Sequence, residues 1–372
     1  MQKKVLVVDD SALMRRVLSD IINLDPRFQV SKVATNGLEA FNLLIQEKNS
    51  FDAVILDINM PKMNGLELLE QLEKYKVKAT IIIVSTVAKE GAAETIRALE
   101  LGAFDFVTKP DSFFDVKSDN FKNKIIDCLV VATKLEKDSE KELPFSENIS
   151  SLIAKKETMQ QKQPIRIMSE TRPRFKSSGT KKLVAIACST GGPKALQQVI
   201  PKLVENIGCS VLVVQHMPEG FTASLANRLN ELSHVTVKES ADKDILTPGT
   251  AYIAKGGSQM RVSTTDRGVS SLSITVEAAR NGLKPCADYM FESLIDTDFT
   301  DITCVVLTGM GSDGTNGIKQ LKQKKNIYVI AQDEASSTVY GMPKVVAQTG
   351  LVDEIVPLEQ IASAILKNLG VQ

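Results

Sequence analysis

Five times before Leu129, a short apolar, β-branched run is followed by a stretch in which apolar residues recur at helical spacing. The runs are Val5–Val8, Val30–Ala34, Ala53–Leu56, Ile81–Val84 and Phe104–Val107. Leu13, Met14, Val17, Leu18, Ile21 and Ile22 mark the first helix; others are expected from Asn36, near Leu66, over Ala92–Leu101, and through Ile125, Ile126 and Leu129. Parallel strands need long crossovers, and helices supply them, so the pattern predicts a doubly wound parallel α/β sheet. Such sheets build their sites at the carboxyl ends of the strands.

Those ends carry unusual residues. Asp9 and Asp10 close the first strand, Asp57 the third, Ser85 and Thr86 the fourth, and Lys109 follows the fifth. Singly, such residues serve as helix caps or solvated charges. Three carboxylates on one rim repel, however, unless a lysine or a hard divalent cation such as Mg²⁺ neutralises them. A carboxylate so screened can accept a phosphoryl group, with a hydroxyl and an ammonium binding its oxygens.

The stretches Val7-Val8-Asp9-Asp10-Ser11, Leu56 to Gly65 and Leu101 to Pro110 resemble response-regulator receiver domains, which are flavodoxin-like. The resemblance implies Asp57 as phosphoacceptor and Lys109 as phosphate partner. It implies Mg²⁺ held by Asp10, Asp57 and the Asn59 backbone carbonyl, with Asp9 assisting. The switch hydroxyl lies between Ser85 and Thr86, of which Thr86 is preferred.

Apolar periodicity fades after Thr133 into the mixed charges of Lys134–Glu142 and then Gln-, Pro-, Ser- and Lys-containing sequence up to Gly179. Such composition reads as a flexible tether, with a short helix conceivable over 149–156. Three regions follow: a receiver at 1–132, a linker at 133–181 and a second α/β domain at 182–372. The 45 basic and 45 acidic residues balance, which disfavours a nucleic-acid partner. Five scattered cysteines with no C-x-x-C pair argue against a zinc ribbon or disulfide framework. No signal peptide or membrane-spanning run is visible, so a cytoplasmic protein without membrane insertion is expected.

In the second domain Leu183–Cys188 is an apolar run that breaks at Ser189-Thr190-Gly191-Gly192-Pro193 before a helical pattern. A serine there is either an N-cap or a nucleophile. Val211–Val214 ends at Gln215-His216-Met217-Pro218, and Asp301–Leu307 ends at Thr308 to Gly314, which includes Asp313. A serine hydroxyl needs an imidazole to take its proton, and a carboxylate to orient that imidazole. Only His216 and His234 exist, and His234 sits where a helix should end. Ser189, His216 and Asp313 are therefore the candidate triad. Backbone N–H groups of Thr190 and Met310 are placed to serve as oxyanion donors.

Cys188 to Gly192, Gln215 to Pro218, Gly220-Phe221-Thr222, Pro248 to Tyr252 and Leu307 to Gly314 together resemble the chemotaxis protein-glutamate methylesterases. The resemblance covers almost the whole chain. It implies phosphorylation-activated hydrolysis of glutamate methyl esters on chemoreceptor helices, and deamidation of receptor glutamines, in sensory adaptation. It assigns Ser189 as nucleophile, His216 as base and Asp313 as orienting carboxylate, with no metal in the esterase site. The partners implied are methylated chemoreceptors and a chemotaxis histidine kinase, and a monomer is expected. An unphosphorylated receiver would cover the esterase face, with Phe104 either a contact there or a core residue. Three departures stand out: Ala187-Cys188 where Gly-Ala is usual, Gln259 for a histidine, and Lys284-Pro285-Cys286 for Arg-Pro-Ser. Cys188 reads as a small core residue.

Overall fold

The computed structural model describes residues 2–47, 50–86, 88–110, 119–135 and 181–371. Most of the expected tether, including the helix proposed over 149–156, lies outside the described residues.

The first domain is the anticipated α/β sheet. Its strands are β1 (Lys3–Val8), β2 (Phe28–Ala34), β3 (Ala53–Leu56), β4 (Ile81–Ser85) and β5 (Asp105–Thr108). They are parallel, in the order β2-β1-β3-β4-β5. The crossovers are α1 (Ala12–Asn23), α2 (Gly37–Gln46), α3 (Gly65–Lys74) and α4 (Lys89–Glu100), with α5 (Asp119–Ala132) after β5. Local chemistry fixes the helix starts. Ser11 caps α1, Asn36 caps α2, and Asn64 with Glu67 forms a reciprocal capping box on α3. Strand alternation sends Val5, Val7, Ile55, Ile82 and Val84 towards α1 and α5, and Leu6, Val8, Leu56, Ile81 and Ile83 to the opposite layer. The strand order reverses between β1 and β3, so Asp9, Asp10 and Asp57 share one crevice.

The second domain has a seven-stranded parallel sheet in the order β14-β13-β12-β6-β7-β9-β8. Its strands are β6 (Lys182–Cys188), β7 (Ser210–Gln215), β8 (Thr236–Glu239), β9 (Thr250–Ile253), β12 (Asp301–Val306), β13 (Asn326–Gln332) and β14 (Glu354–Val356). An antiparallel hairpin, β10 (Gln259–Thr264) with β11 (Ser270–Thr275), departs from the all-parallel pattern. The main helices are α6 (Gly192–Val199), α7 (Phe221–Leu232), α8 (Ala287–Ser293), α9 (Thr315–Lys324), α10 (Met342–Gln348) and α11 (Leu358–Leu369). The chain leaves β6 towards β7 and β9 on one side and fills β12, β13 and β14 on the other. The carboxyl ends of β12, β6 and β7 are consequently neighbours at the point of reversal, which is where such sheets place ligands.

The two domains are docked. α4 packs against α6 and α7, and one apolar cluster continues from Ile96 and Leu99 of the receiver into Leu225 and Ala226 of the second domain. Phe106 of β5 stacks on Phe221, with ring centroids 4.7 Å apart. Polar contacts frame this contact. Glu100 accepts hydrogen bonds from Arg228 Nε (2.6 Å), Arg228 Nη2 (3.2 Å) and Gln197 Nε2 (3.0 Å).

Candidate active site

Ser189, His216 and Asp313 converge from three adjacent strand ends. His216 Nε2 lies 2.7 Å from Asp313 Oδ2, which leaves Nδ1 as the ring nitrogen available to a serine. Backbone bonds tie the loops together: Ser189 N donates to Thr308 O (3.0 Å) and His216 N to Cys188 O (3.1 Å). The buried Gln215 carboxamide adds a clamp, its Nε2 donating to both Ser189 O (3.0 Å) and His216 O (3.1 Å). Gln332, also fully buried, accepts from Thr308 N at 2.8 Å and anchors the third loop. Neither glutamine was singled out from the sequence. Gln215 stands beside His216 and offered that adjacency as its only signal.

Asp313 is the most heavily held group of the site. Its Oδ2 also accepts from Ala287 N (2.6 Å), and its Oδ1 accepts from Cys286 Sγ (3.1 Å), Asp288 N (3.0 Å) and Gly314 N (2.9 Å). Burial opposes its charge, but His216, the Ala287 N–H and the Cys286 thiol outweigh that and hold its carboxyl at about 2. It stays ionised wherever the enzyme is folded near neutrality. Cys188, immediately before Ser189, is fully buried, and burial pushes its thiol far up, which fits the core role expected of it.

Close approach explains two glycines. A Cβ on Gly192 would strike Gln215 Oε1, and one on Gly309 would lie 2.7 Å from Ser189 Cβ and 3.0 Å from Ser189 N. The N–H groups of Thr190 and Met310 have no protein acceptor among the described residues and are free to bind an oxygen. Pro193 stands in the first turn of α6, where its missing N–H costs nothing.

The receiver faces this site. A cavity of about 280 Å³ between the domains is lined by Phe104, Asp105 and Phe106 on one side and Ser189, His216 and Met310 on the other. Phe104 borders the junction and also packs on the receiver core, while Phe106 makes the stacking contact. Thr190 Oγ1 donates to Asp105 Oδ2 at 2.6 Å, and burial at this junction pushes the Asp105 carboxyl up despite that bond.

At the receiver's own crevice, Asp9, Asp10 and Asp57 offer carboxylate oxygens all within 4.8 Å of one another. Lys109 Nζ is 2.9 Å from both Asp9 Oδ2 and Asp57 Oδ1. Burial disfavours the Lys109 charge, but Asp57 and Asp9 together outweigh it and raise its pKa; burial likewise raises that of Asp57, beyond what Lys109 restores. A set of hard oxygen donors, with Asp10 exposed, fits a divalent cation. Asn59 lies two residues beyond Asp57, and its side-chain amide donates to Glu94 Oε2 at 3.0 Å. Ser85 is buried and its hydroxyl donates to Gly91 O (3.3 Å), whereas Thr86 is exposed.

A receiver joined to an α/β domain with a serine, a histidine and a carboxylate at its sheet reversal defines a response regulator whose output is a hydrolase. Residues 5–117 match the response regulator receiver domain, and residues 184–365 match the CheB methylesterase family. The chain belongs to the family of protein-glutamate methylesterases/protein-glutamine glutaminases. It is 39% identical over 364 residues to the member from Desulfotalea psychrophila, covering 98% of this chain and 97% of that one. The Bacillus subtilis relative is 38% identical over 366 residues, covering 97% of each chain. The crystal structure of the Thermotoga maritima CheB methylesterase catalytic domain is 36% identical, spans 51% of this chain and 99% of its own, and superposes with a TM-score of 0.49. Among the described residues no helix is long and apolar enough to cross a membrane.

Proposed function

We propose that the enzyme cleaves glutamate methyl esters on chemoreceptor helices by acyl transfer through Ser189. His216 takes the serine proton as Oγ attacks the γ-carbonyl, and the Thr190 and Met310 N–H groups receive the developing oxyanion. His216 then gives its proton to departing methanol, and water attacking the acyl-enzyme releases glutamate and free serine. Glutamine follows the same route with ammonia leaving. Asp313 keeps the imidazole in one tautomer and stabilises its cation. The observation that carries this reading is the 2.7 Å His216–Asp313 bond beside Ser189.

Access is governed by the receiver. Asp57 is the phosphoacceptor for a chemotaxis histidine kinase, and Mg²⁺, held by Asp10, Asp57 and the Asn59 carbonyl with Asp9 assisting, would screen the charge of the incoming phosphoryl group. Lys109 and the Thr86 hydroxyl then bind phosphoryl oxygens. Because Lys109 now bridges Asp9 and Asp57 at the carboxyl edge of a sheet whose β5 covers Ser189, its re-pairing bears directly on the docked face. A ligand that turns a 99:1 closed population into 99:1 open supplies about 5.5 kcal/mol. The closed enzyme would thus hold receptors methylated, and phosphorylation would reset them, which is adaptation. Methanol release from methylated receptor membranes tests the chemistry. Ser189→Ala is expected to release none, and release equal to wild type would refute the mechanism.

A further inference from the structure

Gln259 and Cys286 are hydrogen-bonded to one another, and Cys286 reaches the carboxylate of the triad. Gln259, on β10, and Cys286, at the start of α8, are both buried, with exposures of 0% and 1%. Gln259 Oε1 accepts from Cys286 N at 2.8 Å, while its Nε2 donates to Leu283 O (3.1 Å) and Ala278 O (3.4 Å). One carboxamide thus fixes both limbs of the turn that presents Cys286. The Cys286 thiol in turn lies 3.1 Å from Asp313 Oδ1. We propose that Cys286, held in place by Gln259, is a positioning residue that sets how strongly Asp313 attracts the proton on His216.

Asp313 Oδ1 shares its density between the thiol and the N–H groups of Asp288 and Gly314, and Oδ2 between His216 and the Ala287 N–H. Every donor on Oδ1 withdraws charge from the carboxylate and weakens its hold on the imidazolium. The thiol is a weak donor, so it withdraws less than a hydroxyl in its place would. It cannot act as a nucleophile, because burial and the adjacent Asp313 push it up to about 12. The other charges around the pair are accounted for. Asp288 is tied to Gly317 N (2.8 Å) and faces Arg280 (3.6 Å), which is itself paired with Glu292 (2.8 Å). From the receiver, Asp105, Lys124, Asp127 and Cys128 line the cavity that His216 borders.

The inference rests on the triad reading above, and it is tested in the full-length protein by two measurements. The first is the pH profile of kcat/KM for methanol release, with phosphodonor and Mg²⁺ present, for wild type, Cys286→Ser and Cys286→Ala. Serine, the stronger donor, should move the acid limb to lower pH, and alanine, which donates nothing, should move it to higher pH, each by about half a unit. Gln259→Glu keeps the acceptor for Cys286 N but turns the other end of the side chain against two carbonyls, and should move the limb in the alanine direction. The second measurement is the NMR titration of the His216 ring, which needs no turnover and has only His234 as a companion signal. Should Cys286→Ala fail to fold, the near-isosteric Cys286→Ser carries the test alone. Opposite displacements by serine and alanine, or the downward one by serine alone, support the proposal. Unmoved curves, or displacement by serine in the alanine direction, overturn it. If Ser189→Ala retained activity the triad reading would fall, while the NMR titration would still decide the coupling.

Discussion

Glu100 is the residue whose removal should most cleanly separate access from chemistry. It ends α4, its side chain is only 9% exposed, and it accepts from Arg228 at 2.6 and 3.2 Å across the domain junction. Charge-assisted hydrogen bonds are each worth about 1.5–3 kcal/mol when sheltered. The Arg228 side chain is 34% exposed and keeps Glu231 as a second partner at 2.9 Å, so the loss is discounted and no charge is stranded. Glu100→Ala should therefore weaken docking by about 2 kcal/mol, which is roughly a 30-fold rise in the ratio of open to closed protein. Unstimulated methanol release should climb by up to that factor, capped by the phosphorylated rate, and the phosphorylated rate itself should stay put. Arg228→Ala should act alike, and the double variant should add little because both remove the same Arg228–Glu100 pair. An unstimulated rate equal to wild type would refute the reasoning that the docked face limits access.

Three further expectations follow from single contacts. Burial at the docked junction raises the Asp105 carboxyl, so its ionisation opposes docking; the closed population should grow as pH falls through the raised value, and Asp105→Asn should lose that dependence, as followed by small-angle scattering. The Asp313 carboxyl is lowered to about 2, so its contribution of roughly 2 kcal/mol is present above pH ~4 and disappears as pH falls towards 2. The stability gap between wild type and Asp313→Asn in urea titrations should shrink across that window. Gly309→Ala would press a methyl on Met342 Sδ (2.5 Å) and on Ser189 Cβ (2.7 Å), and should cost about 1–3 kcal/mol of stability in thermal melts and on the order of 10²-fold in methanol release.

The chemistry was more legible in the sequence than the scaffold that aims it. Asp9, Asp57, Lys109, Ser189, His216 and Asp313 each follow an apolar run, so a one-dimensional pattern already puts them at strand ends. That β12, β6 and β7 are neighbours is a matter of strand order, which periodicity does not encode. The β10–β11 hairpin was not anticipated, although Met260 and Val262 alternate with Arg261 and Ser263, and Leu272 and Ile274 with Ser271 and Ser273. Gln215 and Gln332 were unreadable as functional groups, since a glutamine declares its role only through the backbone atoms it meets. The docking surface was half visible. Phe104 was singled out as an aromatic near a strand, yet Phe106, two residues on, is the ring that reaches Phe221. Glu100 resembles any charge on an amphipathic helix until Arg228 and Gln197 are placed against it.

The central claim is that phosphorylation of Asp57 uncovers a Ser189 nucleophile. Its most direct test is the rate of methanol release from methylated receptor membranes, with and without a small phosphodonor and Mg²⁺, for wild type and Asp57→Asn. The account predicts strong stimulation of wild type and identical rates with and without phosphodonor for Asp57→Asn. Stimulation that survives in Asp57→Asn would contradict it.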